Sequence, residues 1–351
     1  MKTNKKITGA LALIFALILA LGLTACGGAD KDAGSGDSEY KYGKIQIPGK
    51  DGALCGAPIY IAFDQGFFAE EGFDVELISA DAETRKIGLN NGTIPIVNGD
   101  FQFFPSIEEG VNVSVVDGLH NGCIKFIVKK GSPIKTASDL KGKRIAVDEI
   151  GGTPHQVASV WVEKAGISAK PEDGEVEFVV YSDGNLEIEA LKNGDVDVAA
   201  LWDPLGSVYT EGEHANEYEV LFDLSTDPTF AGKYCCFLYA SNKVIKDNPE
   251  QVSALLRAYH KAQEWISENP KEAVDIISDK KYSDIEDKVL AEALVKSYEY
   301  PSAHDHATNK QDVGADVLYF ATELYDIGYL KTDPAEFVKT AYYKVDLDLG
   351  K

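Results

Sequence analysis

The chain has 351 residues, with 57 Asp and Glu against 34 Lys and Arg, and its formal net charge is −23. Because nucleic acids and anionic membrane surfaces attract basic patches, this acidic balance argues against both as binding partners. The length suggests two domains.

The first 25 residues have the organisation of a secretory signal peptide. Three lysines among the first six residues give a basic start, and an apolar run follows from 10 to 23. A membrane-spanning helix needs about 20 apolar residues, so a single membrane helix with an incidental cysteine is the weaker alternative. Leu23-Thr24-Ala25-Cys26 is similar to the lipobox of bacterial lipoproteins. We therefore expect Cys26 to be acylated and to become the first residue of the mature protein.

Residues 26–39 are predicted to form a flexible acylated tether. After Cys26 the segment reads GGADKDAGSGDSE and holds no large apolar side chain. Such a segment cannot bury enough apolar surface to order itself. We therefore expect an extracytoplasmic protein that a lipid anchor holds at the cell membrane.

From residue 40 onward, strand and helix patterns alternate. Strands are predicted at 42–47, 73–78, 93–97, 111–116, 123–128, 144–147, 176–181, 196–201, 218–224 and 234–240, and helices between them at 57–70, 81–89, 101–109, 155–165 and 185–191. After residue 240 only helices are predicted, at 248–268, 271–277, 285–298, 312–327 and 334–340. This alternation predicts an α/β protein with mixed, mostly parallel sheets. In such sheets ligands bind beyond the carboxyl ends of the strands.

A series of short motifs follows in chain order. The motifs read CGAPIYIA at 55–62, GFFAEEGFDV at 66–75, DLKGKRIAV at 139–147, LKNGDVDVA at 191–199, WDP at 202–204, NPE at 248–250 and NPKEA at 269–273. In this order they resemble the ABC-transporter substrate-binding proteins for nitrate, taurine, alkanesulfonates and the thiamine-precursor pyrimidine. The resemblance spans nearly all of the chain after the tether.

The resemblance implies a two-lobe periplasmic-binding-protein type II fold. Each lobe would be a mixed, mostly parallel sheet flanked by helices, and two crossover strands would join the lobes. Lobe one is expected to combine 40–123 with 238–351, and lobe two to span 124–237, with hinge crossovers near 123–128 and 234–238. The ligand would lie between the lobes, which close on it by a hinge motion.

The same resemblance implies a receptor and not an enzyme. It would be a monomer without a cofactor, and it would deliver a small molecule to an ABC permease and its ATPase. An enzyme on the same fold, such as a pyrimidine-precursor synthase, is the alternative. No G-x-S-x-G or H-E-x-x-H motif supports a hydrolase.

Two turns that follow predicted strands are candidates for ligand contact. In the first turn, Cys55, Gly56 and Ala57 precede a proline that suits the start of a helix. In the second turn, Gly152 lets the backbone approach a ligand, Thr153 is predicted to cap the helix, and His155 lies one residue beyond Pro154. A helix start with free N–H groups is a ready anion site. The alternative for both turns is an ordinary helix start.

Further candidates lie at strand ends and at the predicted crossovers. The strand ends carry Trp202 and Asp203 in one lobe and Gly99, Asp100 and Phe101 in the other, and the crossovers carry His120, Tyr234 and Cys235. An aromatic ring with a carboxylate suits a ring or an amine. The equal alternative is a buried Trp202 that packs the lobe, with Asp203 capping the next helix.

The cysteines do not predict a metal site. Cys55, Cys123, Cys235 and Cys236 lack the C-x-x-C spacing of a zinc site. Buried cysteines usually act as small apolar side chains, although Cys and His suit soft metals and a thiol/His metal-binding receptor stays an alternative. His304-Asp305-His306 is expected in a solvated loop between helices.

The ligand class stays open between two possibilities. An organic anion such as a sulfonate would need Arg or Lys in the cleft, and the candidate segments hold no Arg and little Lys. A neutral or cationic heterocycle such as a pyrimidine, held by Trp202, Phe101, Asp100 and Asp203, fits these residues somewhat better.

Overall fold

Three β-sheets organise the part of the chain that the computed structural model describes, which is 40–49, 52–212, 214–283, 285–308 and 310–348. The predicted signal peptide, the tether and Cys26 lie outside the described residues. The strands are β1 Lys44–Pro48, β2 Asp74–Ile78, β3 Ile96–Asp100, β4 Val113–Asn121, β5 Ile124–Lys129, β6 Arg144–Val147, β7 Glu177–Val180, β8 Val198–Trp202, β9 Tyr218–Asp223 and β10 Tyr234–Ser241.

Helices follow most strands and make up nearly all of the chain after β10. They are α1 Ala57–Asp64, α2 Phe67–Glu70, α3 Ala82–Asn91, α4 Phe104–Glu108, α5 Thr153–Lys164, α6 Gly184–Asn193, α7 Leu205–Glu211, α8 Asn242–Asp247, α9 Pro249–Glu268, α10 Pro270–Asp279, α11 Lys288–Ser297, α12 Ala303–Thr308, α13 Val313–Asp326 and α14 Pro334–Ala341. Among the described residues, no helix combines the length and apolar character that crossing a membrane requires.

The described strands combine three parallel with four antiparallel pairings, which confirms the predicted mixed α/β class although parallel pairing does not predominate. β1 pairs with β2 in parallel, and β10 lies between β3 and β4 with both pairings antiparallel. The five-stranded sheet has the order β7-β6-β8-β5-β9, in which β6 is parallel to both neighbours and β5 is antiparallel to both. The boundaries of two lobes stay a prediction.

Local backbone chemistry explains where the predicted helices differ from the observed ones. The predicted helix 57–70 is divided into α1 and α2 because Gly66 adopts a left-handed conformation with φ 77°, which favours glycine. The predicted helix 248–268 begins at Pro249, and the Asn248 side chain caps it by accepting from the Gln251 N–H. The expectation of a loop at His304-Asp305-His306 is wrong, since these residues lie in α12.

Gly118 on β4 allows the close approach of β10. A Cβ at this position would lie 2.2 Å from the ring of Tyr234. We expect Gly118→Ala to lower the free energy of unfolding by about 1–3 kcal/mol, since a packed interior accommodates an added methyl poorly. Chemical denaturation measures this loss.

Gly99→Ala on β3 is the matched control for Gly118→Ala. Its added Cβ would lie 3.2 Å from the ring of Tyr239, so a small shift of that ring accommodates it and the expected loss is smaller. Equal losses for the two variants would contradict the packing account of β4 and β10.

Candidate functional site

A cavity of about 980 Å³ opens where strand ends of the two larger sheets meet. β3 contributes Asn98, Gly99 and Asp100, and β8 contributes Leu201 and Trp202. His120 of β4, Cys236 of β10 and the start of α6 complete much of the wall. The position agrees with the general rule that ligands bind at the carboxyl ends of strands in α/β sheets.

Six of the predicted ligand residues line this cavity. They are Cys55, Gly99, Asp100, His120, Trp202 and Asp203. The other predicted residues, which are Gly56, Ala57, Phe101, Gly152, Thr153, His155, Tyr234 and Cys235, are not among the residues that line it. Phe101 instead stacks on Phe320 in the core, with ring centroids 4.2 Å apart, and the backbone N–H of Tyr234 donates to Asp316 over 3.0 Å.

Trp202 is held at the cavity wall by a hydrogen bond across two strands. Its indole Nε1 donates to the Asp148 carboxylate over 2.8 Å. Trp202 ends β8, Asp148 follows β6, and these two strands are parallel neighbours. The hydrogen bond fixes the indole in one orientation, so its face forms a ready surface for a flat ligand.

Thr153 does not cap its helix as predicted. The residue before α5 is Gly152, and no side chain caps this helix. The Thr153 hydroxyl instead donates to the Asp100 carboxylate, and the Thr153 N–H donates to Gln102 Oε1 over 3.0 Å. Because Gln102 Oε1 already accepts from the Thr153 N–H at this helix start, the turn is poorly suited to bind an anion.

The contact with Thr153 also shapes the charge of Asp100. Burial raises the pKa of Asp100 to about 6, while hydrogen bonds from Thr153 and the Gln102 N–H oppose this shift and the nearby Asp148 carboxylate adds to it. Asp100 therefore titrates close to neutral pH, where a ligand with a positive charge or an N–H donor would favour its ionised form.

Asp203 has a partner that the sequence did not indicate. Lys125 Nζ lies 3.6 Å from Asp203 and 3.5 Å from Asp223 and donates to Ser207 Oγ over 2.8 Å. Lys125 and Asp203 are both 7% exposed. Asp203 is thus held as part of a buried ion pair beside the cavity. The available signal was Lys125, a charged residue between the apolar residues Ile124 and Phe126 of β5.

His155 belongs to a different cavity. This second cavity has a volume of about 570 Å³ and includes Ile150, Phe178 and Tyr329 in its wall. The His155 Nδ1 accepts from the Gly151 N–H over 3.0 Å and lies 2.7 Å from the Tyr329 hydroxyl. Burial lowers the pKa of His155 to about 4, so the imidazole is neutral at physiological pH.

The strongest feature that the sequence reasoning missed is Glu187 on α6. Glu187 lines the first cavity, is 2% exposed, and its Oε2 has no hydrogen-bond partner among the described residues. Burial raises the pKa of Glu187 to about 9, and the charges of Asp148 and Asp183 contribute. Most buried polar groups in folded proteins have a hydrogen-bond partner. Exceptions with a strongly shifted pKa, such as Glu187, occur most often at functional sites.

The lining of the first cavity is strongly acidic. Seven of its side chains carry carboxyl groups and one carries a guanidinium, and they are Asp100, Asp148, Asp183, Glu187, Asp203, Glu286, Asp287 and Arg85. Arg85 Nε donates to the Ala80 carbonyl over 3.1 Å. The chemistry of the wall therefore favours a ligand that donates hydrogen bonds or carries positive charge.

We expect Glu187→Gln to stabilise the folded protein increasingly as the pH rises. The folded wild type keeps a proton up to a pKa of about 9, whereas the unfolded chain releases it near the ordinary value for Glu. Between about pH 5 and pH 9 the wild type therefore loses stability as pH rises, by at most about 1.4 kcal/mol per pH unit. Glutamine lacks this titration, and denaturation at several pH values measures the difference.

Glu189→Gln on the same helix is the control for this pH series. The Glu189 side chain is 58% exposed, so its replacement should change stability by less than about 0.5 kcal/mol at every pH. A pH-independent difference between wild type and Glu187→Gln would contradict the raised pKa.

Four thiols lie beside the cavity. The structure leaves Cys55, Cys123, Cys235 and Cys236 unpaired by disulfides. Burial raises the pKa of Cys235, but its hydrogen bonds with the Cys123 and Cys236 thiols outweigh burial and lower the pKa to about 6.

Curated relatives of this chain are binding proteins. A putative binding protein of Brucella abortus is 28% identical over 153 residues, which cover 43% of this chain and 44% of that protein. The chain thus matches less than half of the length of that relative. A formylaminopyrimidine-binding protein of Halalkalibacterium halodurans is 26% identical over 235 residues, covering 62% of this chain and 64% of that protein.

Solved structures share the fold. The periplasmic aliphatic sulphonate binding protein SsuA from Escherichia coli matches with a TM-score of 0.67 and 16% identity, covering 88% of this chain and 94% of its own. A Candida albicans protein with the generic periplasmic binding protein fold matches with a TM-score of 0.64 and 18% identity, covering 88% and 98%. The predicted periplasmic-binding-protein fold is thereby confirmed. The family model described as NMT1/THI5 like matches residues 56–273, more than half of the chain, and the protein belongs to that family.

Proposed function

We propose that the protein is a non-catalytic solute receptor of an ABC importer and that its ligand occupies the cavity of about 980 Å³. The observation that carries the proposal is the convergence of an oriented indole, Trp202, with the carboxyl groups of Asp100 and Glu187 on one cavity. Pockets of about 300–1,000 Å³ with a few placed polar groups are typical small-molecule sites. The binding-protein relatives support this assignment.

The acidic wall favours a neutral or cationic nitrogen heterocycle over a sulfonate. A sulfonate in this cavity would face seven carboxyl-bearing side chains with one arginine to attract it. An aminopyrimidine would instead stack on Trp202 and donate its N–H groups to carboxylates. The formylaminopyrimidine-binding relative supports this ligand class.

The proposed binding motion is a hinge closure of two lobes, with lobe one formed by 40–123 and 238–351 and lobe two by 124–237. The strand order supports this division, because the five-stranded sheet uses strands between Ile124 and Asp223 and the other two sheets use strands outside that range. β5 and β10 begin close to the proposed crossovers at 123–128 and 234–238.

The proposed receptor works as a monomer outside the cytoplasmic membrane, tethered through acylated Cys26, and delivers its ligand to a permease and its ATPase. The sequence pattern around Cys26 supports the anchor. A diacylglyceryl group supplies two chains, and each buried CH₂ contributes about 0.8 kcal/mol, so the anchor would be stable. Mass spectrometry of the protein from membranes tests the acylation.

A thermal-shift screen tests the receptor function. The full chain is melted with aminopyrimidines, alkanesulfonates, nitrate and simple amines at saturating concentration. A ligand present at 100 times its dissociation constant stabilises the folded state by about 2.7 kcal/mol, which gives a clear shift. We expect an aminopyrimidine or an amine to raise the melting temperature. A shift with sulfonates alone would overturn the ligand class, and no shift with any solute would overturn the receptor function.

Glu187→Gln separates the cationic from the neutral ligand class. A cation in the cavity would favour release of the Glu187 proton and would then pair with the carboxylate, so the variant should bind a cationic solute more weakly although the variant itself is more stable. A neutral ligand would bind both forms with similar affinity. Calorimetric titration of each variant with a cationic and a neutral member of the panel distinguishes the two cases.

A further inference from the structure

Four buried ligand atoms of the type that binds zinc converge beside the solute cavity. His120, Cys123, Cys235 and Cys236 each offer one such atom, and all four atoms lie within 4.8 Å of one another. The four residues are buried, with exposures between 0% and 6%. They come from β4, from the link between β4 and β5, and from β10, so the fold and not the sequence spacing brings them together.

The sulfur positions match one face of a tetrahedral zinc site. The Cys123 sulfur lies 3.6 Å from the Cys236 sulfur and 3.9 Å from the Cys235 sulfur, and the last two sulfurs are 3.8 Å apart. A tetrahedron with zinc–sulfur bonds of about 2.3 Å has edges of about 3.8 Å. A disulfide needs sulfurs about 2.0 Å apart, so the three thiols are not arranged as an oxidised pair.

His120 is oriented as a zinc ligand should be. Its Nδ1 lies 3.2 Å from the Asn121 carbonyl oxygen, and because a carbonyl can only accept, Nδ1 carries the proton. Nε2 therefore presents a lone pair, and it is buried without a hydrogen-bond partner among the described residues. A metal-binding histidine usually donates its other N–H to a carbonyl or a carboxylate.

We propose that His120, Cys123, Cys235 and Cys236 form a closed Cys₃His site for a zinc ion. Nothing in this site depends on the identity of the solute, so the inference stands apart from the proposed receptor function. A bound ion would join β4 to β10 and would replace the unpartnered imidazole nitrogen with a coordination bond. It would also border the solute cavity, because His120 and Cys236 line that cavity.

Metal titration of the reduced full chain tests the site without any substitution. The protein is kept in a phosphine reductant, freed of metal with a chelator, and titrated with Co²⁺ and then with Zn²⁺. We expect one Co²⁺ per chain, with the thiolate charge-transfer and visible bands of a tetrahedral thiolate site, and full displacement by one Zn²⁺. A bound metal should also raise the melting temperature. Absence of these bands, or more than one equivalent of weak sites, would overturn the proposal.

Single substitutions assign the ligands. We expect Cys123→Ser and Cys236→Ser each to weaken Zn²⁺ binding at least about 100-fold, in competition with a chromophoric chelator. Cys55→Ser is the matched control, because the Cys55 thiol is near enough to both Cys123 and His120 for a hydrogen bond but lies outside the four-residue set. An equal loss of affinity in Cys55→Ser would overturn the assignment. Circular dichroism of each metal-free variant shows whether that variant folds. If a variant does not fold, the cobalt spectrum of the wild type decides the proposal.

Discussion

Replacing Lys125 with methionine is expected to lower the free energy of unfolding by about 3–5 kcal/mol. Lys125 Nζ lies within 3.6 Å of Asp203 and within 3.5 Å of Asp223. Burial lowers the pKa of Lys125, but the charges of Asp203 and Asp223 outweigh burial and raise it overall. Without the ammonium, two neighbouring carboxylates remain in a largely buried place. Urea denaturation of the two proteins measures the loss.

Two further variants show whether this loss comes from the buried charges. Lys44→Met removes the ion pair between Lys44 and Glu76, in which the Lys44 side chain is 62% exposed. Because the pair is exposed, this substitution should lower the free energy of unfolding by less than about 1 kcal/mol. Combining Lys125→Met with Asp203→Asn should recover part of the loss, because one of the unpaired charges is removed. A loss below about 1 kcal/mol in Lys125→Met, or no recovery in the double variant, would contradict the account.

Replacing Trp202 with alanine is expected to weaken solute binding about 10- to 100-fold. Stacking of a nitrogen base on an aromatic side chain contributes about 1–3 kcal/mol, and the Asp148 hydrogen bond holds the Trp202 indole in place. Calorimetric titration with the solute that gives the largest thermal shift measures the loss. Trp202→Phe should retain most of the affinity, since a flat ring remains.

Trp161→Phe is the control for the Trp202 substitutions. Trp161 donates to Asp227 over 3.1 Å and packs on Phe126 and Phe222, and it is not among the residues that line the first cavity. Its replacement should leave the dissociation constant unchanged. If Trp202→Ala binds as tightly as the wild type, the indole does not contact the solute and the ligand lies elsewhere.

The fold could be predicted because its signals are local. Alternating apolar patterns and Gly-rich turns depend on neighbouring residues, so strands such as β6 and β8 appear close to their predicted positions. The rule that ligands bind at strand ends then placed Asp100 and Trp202 in the cavity wall. These two residues could be predicted because the position of each depends only on where a single strand ends.

Pairings between distant residues could not be predicted in the same way. Thr153 with Asp100 and Lys125 with Asp203 join residues far apart in sequence, and one sequence carries no signal of such contacts. Glu187 was missed because its burial depends on how α6 packs, whereas a glutamate in an amphipathic helix normally faces solvent. A thiol/His metal site remained only an alternative, because C-x-x-C spacing describes sites built from adjacent ligands, whereas His120, Cys123, Cys235 and Cys236 come together through the fold.

A crystal structure of the full chain with the aminopyrimidine of highest affinity tests the central claim most directly. The account predicts the ring in the cavity of about 980 Å³, against the Trp202 indole, with N–H groups within hydrogen-bond distance of Asp100 or Glu187. A ligand bound instead in the cavity of His155 and Tyr329, or a ring that does not contact Trp202, would contradict it.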